Sequence, residues 1–139
     1  WQRSLNVNLT APFLCPQAAV ALMRENDPPG GAIINICDHG AVKPWPERAD
    51  HGISKAGLLA LTQVSALSLG AENIRVNAIL PGPVLKPDGM DEARWQVIGQ
   101  QTPLQRTGSA KDVARAVAYL VAEDYITGAI LEVSGGGLG

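Results

Sequence analysis

Residues 33–58 read IINICDHGAVKPWPERADHGISKAGL, and we expect any ligand-binding site to lie in this stretch. It opens with a mostly apolar, β-branched run from Ile33 to Cys37, which is typical of a strand buried on both faces of a parallel sheet. Asp38 follows at the carboxyl end of this strand, where open α/β sheets bind their ligands. The sequence therefore places Asp38 at the edge of a candidate cleft.

A helix is predicted from about Asp50 to Leu69, after a Pro-rich loop at residues 43–46. His51 and Lys55 stand four positions apart near its start, so they share one face that can turn toward Asp38. Trp45 in the loop has two interpretations, as part of a substrate pocket or as a cover for the edge of the core. One side of the helix is expected to consist of Leu58, Leu61, Val64, Ser65 and Leu69.

The other elements follow from spacing and turn chemistry. Apolar residues recur at mostly three- and four-residue intervals from Trp1 to Met23, which predicts an amphipathic helix that kinks or restarts near Pro12. A turn at residues 26–31 leads into the first strand at Ala32. Residues 74–80 form a second strand pattern, which ends in Pro81-Gly82-Pro83-Val84.

The last third of the chain contains one short helical pattern, one clear helix and one strand. Residues 91–100 carry the short pattern, with Trp95 and Ile98 as its apolar positions. Ser109 is the predicted N-cap of the clear helix, and Asp112 is its capping acid. The final strand is predicted over residues 129–133. Three strands alternating with three to four helices indicate the α/β class, a parallel sheet and one domain over residues 1–139.

Charge and composition exclude several classes of partner. The 139-residue chain has a formal net charge of −2, which gives no basic field for nucleic acid or an anionic membrane surface. No apolar run approaches the roughly twenty residues that span a bilayer, so we expect no membrane partner and a cytoplasmic location. Cys15 and Cys37 are expected to be buried free thiols. No metal site is expected, because His39, His51 and Asp38 lack a helical His pair or a Cys-x-x-Cys motif.

The motif His51-Gly52-Ile53-Ser54-Lys55, followed by Ala56 and Leu58, resembles the Tyr-x-x-x-Lys motif of the short-chain dehydrogenase/reductase family. Asp38 stands thirteen residues before His51, at the position of the family's catalytic Ser. The resemblance therefore implies catalytic roles for Asp38, His51 and Lys55, and two of these positions differ from the family. Asp at the Ser position resembles the pteridine reductase branch, which implies a pterin-like or carbonyl substrate.

Two further motifs carry the same resemblance. Asn6-Val7-Asn8-Leu9 is similar to the family's fourth helix, where an Asn completes a catalytic tetrad, and this implies a catalytic role for Asn8. The alternative for Asn8 is a polar helix residue that faces solvent. Pro81-Gly82-Pro83-Val84 resembles the Pro-Gly motif after the family's sixth strand, which implies cofactor contacts for Pro81, Gly82 and Val84. The alternative there is a plain turn.

The resemblance covers the chain as the C-terminal half of a doubly wound Rossmann-type sheet, from the fourth helix through the seventh strand. The N-terminal βαβ units, which carry the Gly-rich pyrophosphate turn, have no counterpart, so we expect the chain to be a piece of a longer fold. The implied function is hydride transfer with NADP or NAD, NADP being favoured, to a small-molecule substrate once that half is supplied. Lys55 would bind the nicotinamide ribose.

A second class of function also fits the sequence: a catalytically inactive remnant that acts as an oligomerisation or interaction module. His51 in place of Tyr and the absent N-terminal units favour this alternative. In the family, the first two helices pair with their counterparts across a two-fold axis, which implies a homo-oligomer here. The apolar edge at residues 32–37 predicts association with another copy or with a complementary chain.

Overall fold

The computed structural model describes residues 1–43 and 45–136. Within these residues the chain forms four helices and three strands. In chain order they are α1 (Gln2–Arg24), β1 (Gly31–Ile36), α2 (Ala49–Leu69), β2 (Ile74–Pro81), α3 (Glu92–Gln100), α4 (Ala110–Ala122) and β3 (Ile130–Val133). Short 3-10 turns cover His39–Ala41, Pro46–Arg48 and Gly70–Glu72.

The three strands form one parallel sheet in the order β1-β2-β3. The register sets Ile36 beside Ile79, and Ile79 beside Leu131. The predicted α/β class, the parallel sheet and the consecutive strand order are therefore confirmed. Because all three strands run in the same direction, their carboxyl ends meet at one edge of the sheet, where ligands of such folds bind.

The central strand β2 forms the core of the sheet. Ile74, Ala78 and Ile79 are fully buried, and α2 and α4 both pack against this strand. Its polar residues are also buried or anchored. Asn77 donates from Nδ2 to the Ile126 carbonyl at 2.9 Å and accepts from the Ala129 N–H at 2.9 Å. Arg75 donates to carbonyls at the end of α4, including that of Leu120 at 2.7 Å, and so ties this helix to the sheet.

The edge strand β1 differs from the sequence expectation. We predicted a strand buried on both faces, yet its residues are only half-buried and Ile36 is 43% exposed. The prediction was wrong because β1 pairs with β2 alone among the described residues, so its outer side has no strand beside it. An apolar composition identifies a strand, but the neighbouring elements determine how deeply it is buried.

The first helix changes its winding midway. It is α-helical over Gln2–Leu5, π-helical over Asn6–Thr10 and α-helical again over Ala11–Arg24. Pro12 has no backbone N–H, so the carbonyl four residues before it lacks an α-helical donor, and a wider turn compensates. The Ala11 N–H accordingly donates to the Asn6 carbonyl five residues before it. The predicted restart near Pro12 is thus confirmed.

Helix α2 buries only part of the side that we predicted. Val64, expected on the apolar side with Leu58, is 60% exposed, whereas Leu58 is 3% exposed. The core side uses small and polar residues that approach the sheet closely, whereas Val64 lines a groove of about 380 Å³ between α1 and α2. The buried residues of α2 are Gly52, Ser54, Leu58, Leu59, Thr62 and Ala66.

The start of α4 forms as predicted. The Ser109 N–H donates to Asp112 Oδ2 at 2.8 Å, and the Ser109 hydroxyl donates to the same oxygen at 2.7 Å. These hydrogen bonds hold the pKa of Asp112 below its usual value. The capping acid therefore satisfies a backbone donor that the helix itself leaves unpaired.

Two helical stretches are long and apolar enough, by length and composition, to cross a membrane. They are Gln2–Arg24 and Pro46–Glu72, each with a mean hydropathy of 1.2. The expectation that no apolar stretch approaches this length was therefore wrong. In Pro46–Glu72, 33% of the most apolar 18-residue segment is buried within the protein, whereas in Gln2–Arg24 only 6% is buried. A helix that packs in the core of a soluble protein passes the same test.

Candidate active site

A cleft of about 400 Å³ opens at the carboxyl ends of β1 and β2. Asp38 and His51 form one wall, and residues 81–83 form another part of the lining. Trp95 and Ile98 of α3 also line the cleft. The remaining lining residues are His39, Trp45, Arg48, Leu85, Pro87 and Met90. The cleft is mostly apolar with a few convergent polar groups, which is the usual composition of a small-molecule site.

Asp38 is held at both of its carboxylate oxygens. It follows β1 directly and caps the turn His39–Ala41, where its Oδ1 accepts from the Gly40 N–H at 2.8 Å. Its Oδ2 is hydrogen-bonded to His51 Nε2. A Cβ at Gly40 would lie 2.9 Å from Asp38 Oδ1 and 3.0 Å from the Trp45 ring, so a side chain there would displace the carboxylate or the ring. The backbone therefore fixes the orientation of the carboxylate.

His51 lies in the first turns of α2 and is half-buried. Trp45 stacks on its ring, with 6.2 Å between the ring centroids and 17° between the planes. Because Nε2 faces Asp38, Nδ1 is the nitrogen left for another partner. A carboxylate that holds one imidazole nitrogen fixes the tautomer and stabilises the protonated ring. The pair is chemically suited to give and take a proton.

Lys55 lies one turn further along α2, but it is not among the lining residues of this cleft. Its Nζ donates to the Ile36 carbonyl at 2.8 Å, at the end of β1. The neighbouring Cys37 is 3% exposed, and burial raises the pKa of its thiol to about 11, although the Lys55 charge opposes this rise. Cys37 is thus a protonated, buried thiol at neutral pH. Cys15 is exposed, so its predicted burial was wrong.

Asn8 approaches the site indirectly. Its Nδ2 donates to Ser54 Oγ at 3.0 Å, and the Ser54 hydroxyl donates to the His51 carbonyl at 2.8 Å. Asn8 therefore connects the π-helical turn of α1 to the backbone that carries His51. The structure brings Asp38 and His51 into direct contact, and it places Asn8 and Lys55 around the same helix turn without contact to the cleft.

The loop after β2 packs tightly against β3. The Gly82 N–H donates to the Val133 carbonyl at 3.0 Å, and a Cβ at Gly82 would lie 2.7 Å from Ser134 Cα. Pro81 and Gly82 line the same cleft as Asp38 and His51. Val84 instead lines a second cleft of about 540 Å³. The predicted cofactor-contact residues therefore lie between two adjoining clefts.

Three residues of the site were not predicted from the sequence: Gly40, His39 and Arg48. Gly40 had a recognisable signal, because an Asp two residues before a Gly often caps a local turn. His39 Nε2 is buried without a hydrogen-bond partner among the described residues, and it lies 3.7 Å from Glu132 Oε1. Nothing in the sequence pattern separates Arg48 from an ordinary surface arginine.

Known proteins match this chain over nearly all its length. A family model described as Enoyl-(Acyl carrier protein) reductase matches residues 1–137. The chain is 35% identical to Dehydrogenase/reductase SDR family member 4 of Sus scrofa, with 98% of this chain and 50% of that protein covered. It is 39% identical to (3R)-3-hydroxyacyl-CoA dehydrogenase of Rattus norvegicus, with 98% and 54% covered. It therefore spans about half the length of these curated relatives.

A solved structure with the same fold points to the same family as the sequence matches. The structure of acetoin dehydrogenase from Salmonella typhimurium aligns with a TM-score of 0.85 at 33% identity, over 99% of this chain and 55% of that one. The relatives named here are dehydrogenases and reductases, and they do not specify the pteridine reductase branch that we predicted. At the level of the family, the resemblance seen in the sequence is confirmed. The chain belongs to the short-chain dehydrogenase/reductase family.

Proposed function

We propose that this chain supplies the substrate side of an NAD(P)-dependent oxidoreductase, in which His51 exchanges a proton with a carbonyl or alcohol oxygen. The contact between Asp38 and His51, inside a strand-end cleft that Pro81 and Gly82 also line, is the observation that carries the proposal. The chain spans about half the length of its curated relatives, so the proposal concerns the whole protein.

The residues present fit the nicotinamide end of such a coenzyme. Gly82 leaves no room for a side chain against Ser134, so the loop backbone itself lines the strand-end cleft. Lys55 and the backbone near Val84 would hold the nicotinamide riboside, and NADP is our preferred coenzyme by family resemblance, with NAD as the other choice. When bound, the reduced nicotinamide supplies a hydride. Everything else in the reaction is assigned to residues of this chain.

The proton balance follows from the Asp38–His51 pair. As the carbonyl carbon gains a hydride, its oxygen gains negative charge and takes a proton from the protonated imidazole. Asp38 stabilises the imidazolium before transfer and holds the neutral ring afterwards. The reverse oxidation returns the proton to His51. Trp45, stacked on the ring, limits its rotation. Well-placed general acid catalysis contributes roughly 10²–10⁴-fold to a rate.

A carbonyl substrate is better supported than a pterin-like one. Each Asp38 oxygen already accepts one hydrogen bond from the chain itself, from Gly40 and from His51, so the carboxylate first orients His51 and only its remaining lone pairs are open to a pterin ring. The pterin-like substrate is kept as the second candidate because Asp38 resembles that branch and because Trp45 and Trp95 could enclose a planar ring. We further propose a homo-oligomer, which the exposed edge of β1 supports, and a cytoplasmic location.

The competing function is an inactive remnant that serves as an oligomerisation module. His51 in place of Tyr favours it, as does the half-buried strand β1, whose apolar edge would suit a protein partner. The two functions differ in what they require of the cleft. An oligomerisation module needs no ordered proton donor, whereas the reductase needs both Asp38 and His51.

The test is reduction of a carbonyl substrate, measured as oxidation of NADPH or NADH by this chain joined to a coenzyme-binding N-terminal half. His51→Gln and Asp38→Asn should each lower kcat/KM by about 10²-fold or more. His39→Gln, which removes an imidazole of the same cleft outside the pair, should cost much less. His51→Tyr should raise the rate, since it restores the acid of the family motif. Equal losses in all the Gln and Asn variants would contradict the proposal and favour the remnant.

The coenzyme supplies a second test. We expect the 139-residue chain alone to bind NADPH weakly, because hydrogen bonds at about 1.5–3 kcal/mol each would be missing from the pyrophosphate end. Fluorescence of Trp45 and Trp95 on titration with NADPH measures this. Saturation at micromolar coenzyme would contradict the assignment of only the nicotinamide end to this chain.

A further inference from the structure

The charged residues of the strand-end cleft have very different surroundings. Asp38 is hydrogen-bonded at both oxygens, and His51 is bonded to Asp38. His39 lies 3.7 Å from Glu132. Across residues 1–43 and 45–136, however, the Arg48 guanidinium takes part in no ion pair or side-chain hydrogen bond. Among the lining residues that the structure describes, Arg48 is thus the one permanent cation, and its donors have no partner there.

Arg48 is held beside the proposed proton donor by the local backbone. The turn Pro46–Arg48 precedes α2, and the Arg48 N–H donates to the Trp45 carbonyl at 3.0 Å. Trp45 stacks on His51, and all three residues line the cleft. Arg48 is the N-cap of α2 and His51 lies in its first turn, so both side chains leave the chain at the same helix start. A ligand whose anionic group binds Arg48 would therefore place an atom only a few bonds away beside His51.

The rest of the lining is apolar. Besides Arg48 and His51, the cleft is lined by Leu85, Met90, Trp95 and Ile98. A guanidinium binds a carboxylate through two parallel hydrogen bonds, and this geometry is specific for planar anions. A cleft of about 400 Å³ accepts a small molecule, at the lower end of the range for ligand pockets.

We infer that the substrate of this cleft is a small oxo acid, or the corresponding hydroxy acid, with an apolar body, and that Arg48 binds its carboxylate. This inference rests on the proposed function and narrows it from carbonyl compounds in general to anionic ones. Trp45, Trp95 and Ile98 contact the apolar body of the substrate. His51 exchanges a proton with the oxygen on the reacting carbon. A neutral ketone of the same shape leaves the Arg48 donors without a partner.

The test compares one oxo acid with its uncharged methyl ester. The probes are 4-methyl-2-oxopentanoate and its methyl ester, which keeps the apolar body and removes the charge. Binding is measured on the ¹⁵N-labelled chain from the chemical shifts of the Trp45 and Trp95 indole N–H groups. Arg48→Met should weaken binding of the acid roughly tenfold or more, corresponding to about 1.4 kcal/mol, and leave the ester unchanged. Arg48→Lys should retain part of the preference.

Arg94→Met is the matched control, because it removes the same charge from α3 next to Trp95 without touching the cleft lining. Equal binding of acid and ester by the parent chain, or an equal loss in the Arg94 variant, would overturn the inference. So would the absence of any shift with the acid. Arg48-dependent binding without turnover in the completed enzyme would uphold this inference and reject the proposed function. Turnover with no preference for the acid would do the reverse.

Discussion

Strands β1 and β2 have similar apolar sequences but very different environments. Ile36 and Ile79 are neighbours in the parallel register, yet Ile79 is fully buried and Ile36 is 43% exposed. The same residue type on adjacent strands therefore contributes differently to stability. Composition thus specifies a strand, while its burial depends on how many neighbours the strand has.

The difference between the two strands also bears on the candidate site. Asp38 follows the end of β1, the less buried strand, and Lys55 donates a hydrogen bond to the Ile36 carbonyl there. Pro81 and Gly82 instead lie at the end of the more buried β2. One side of the cleft is thus part of a well-packed core. The other side belongs to an edge strand, whose position is secured by pairing on one side only.

The largest expected effect is on stability, at the two neighbouring isoleucines. Ile79→Ala should lower the free energy of unfolding by about 2–5 kcal/mol, because it leaves a cavity in a fully buried site. Ile36→Ala should cost less than about 1 kcal/mol, because its side chain is already partly in contact with solvent. Urea unfolding of both variants measures the difference. Equal costs would show that β1 is covered in solution and that the two strands do not differ in burial.

The second prediction concerns the outer edge of β1. Ile36→Lys should shift self-association to roughly tenfold higher protein concentration, or about 1.4 kcal/mol, because a charge on an edge strand opposes pairing with another chain. Light scattering over a dilution series is the measurement. Tyr125→Lys adds the same charge at a fully exposed loop residue and should leave association unchanged. A parent chain that is monomeric at high concentration would contradict this prediction.

The smallest expected effect involves an ion pair where the chain enters the two strands. Arg24, at the end of α1, donates to Glu72, the last residue of the turn before β2, with Nη2 and Oε1 2.9 Å apart. The Arg24 hydrogen bond lowers the pKa of Glu72 below its ordinary 4.5. A carboxylate with a lowered folded-state pKa stabilises the fold above its unfolded pKa and loses this contribution as the pH falls through the folded value.

Arg24→Met should therefore lower Tm slightly at pH 7 and low salt. The difference from the parent chain should disappear as the pH falls from about 4.5 through the lower, folded-state pKa of Glu72. Salt should also reduce it, since both side chains are exposed. Thermal unfolding of the two proteins across this pH range is the measurement. A Tm difference that grows toward acid pH would show that another group is responsible.

Much of this fold could be predicted from local patterns. The strand at Ile74–Pro81, the capped start of α4 at Ser109 and the restart of α1 near Pro12 depend on neighbouring residues, and sequence spacing reports such effects directly. Asp38 and His51 could be placed together because a strand end and a helix start are linked by a short loop, which restricts their separation.

Features that depend on distant residues could not be predicted. The exposure of Val64 follows from which side of α2 meets the sheet, and this depends on the position of the sheet and not on the helical spacing. The Lys55 hydrogen bond to the Ile36 carbonyl requires the three-dimensional position of β1. Arg75 illustrates the same limit, because its partners at residues 120, 121 and 126 are some fifty positions away. Long-range partners leave no periodic signal in a single sequence.

The close approach of Gly82 to Ser134 has a consequence for redesign. Since any side chain at position 82 would collide with the backbone of Ser134, this position offers a protein engineer no route to altered coenzyme or substrate selectivity. Libraries aimed at this loop should keep Gly82 and vary the positions whose side chains line the two clefts, beginning with Val84 and Leu85. Ser134, which directly follows the four-residue strand β3, thereby limits which variants of this loop can be made.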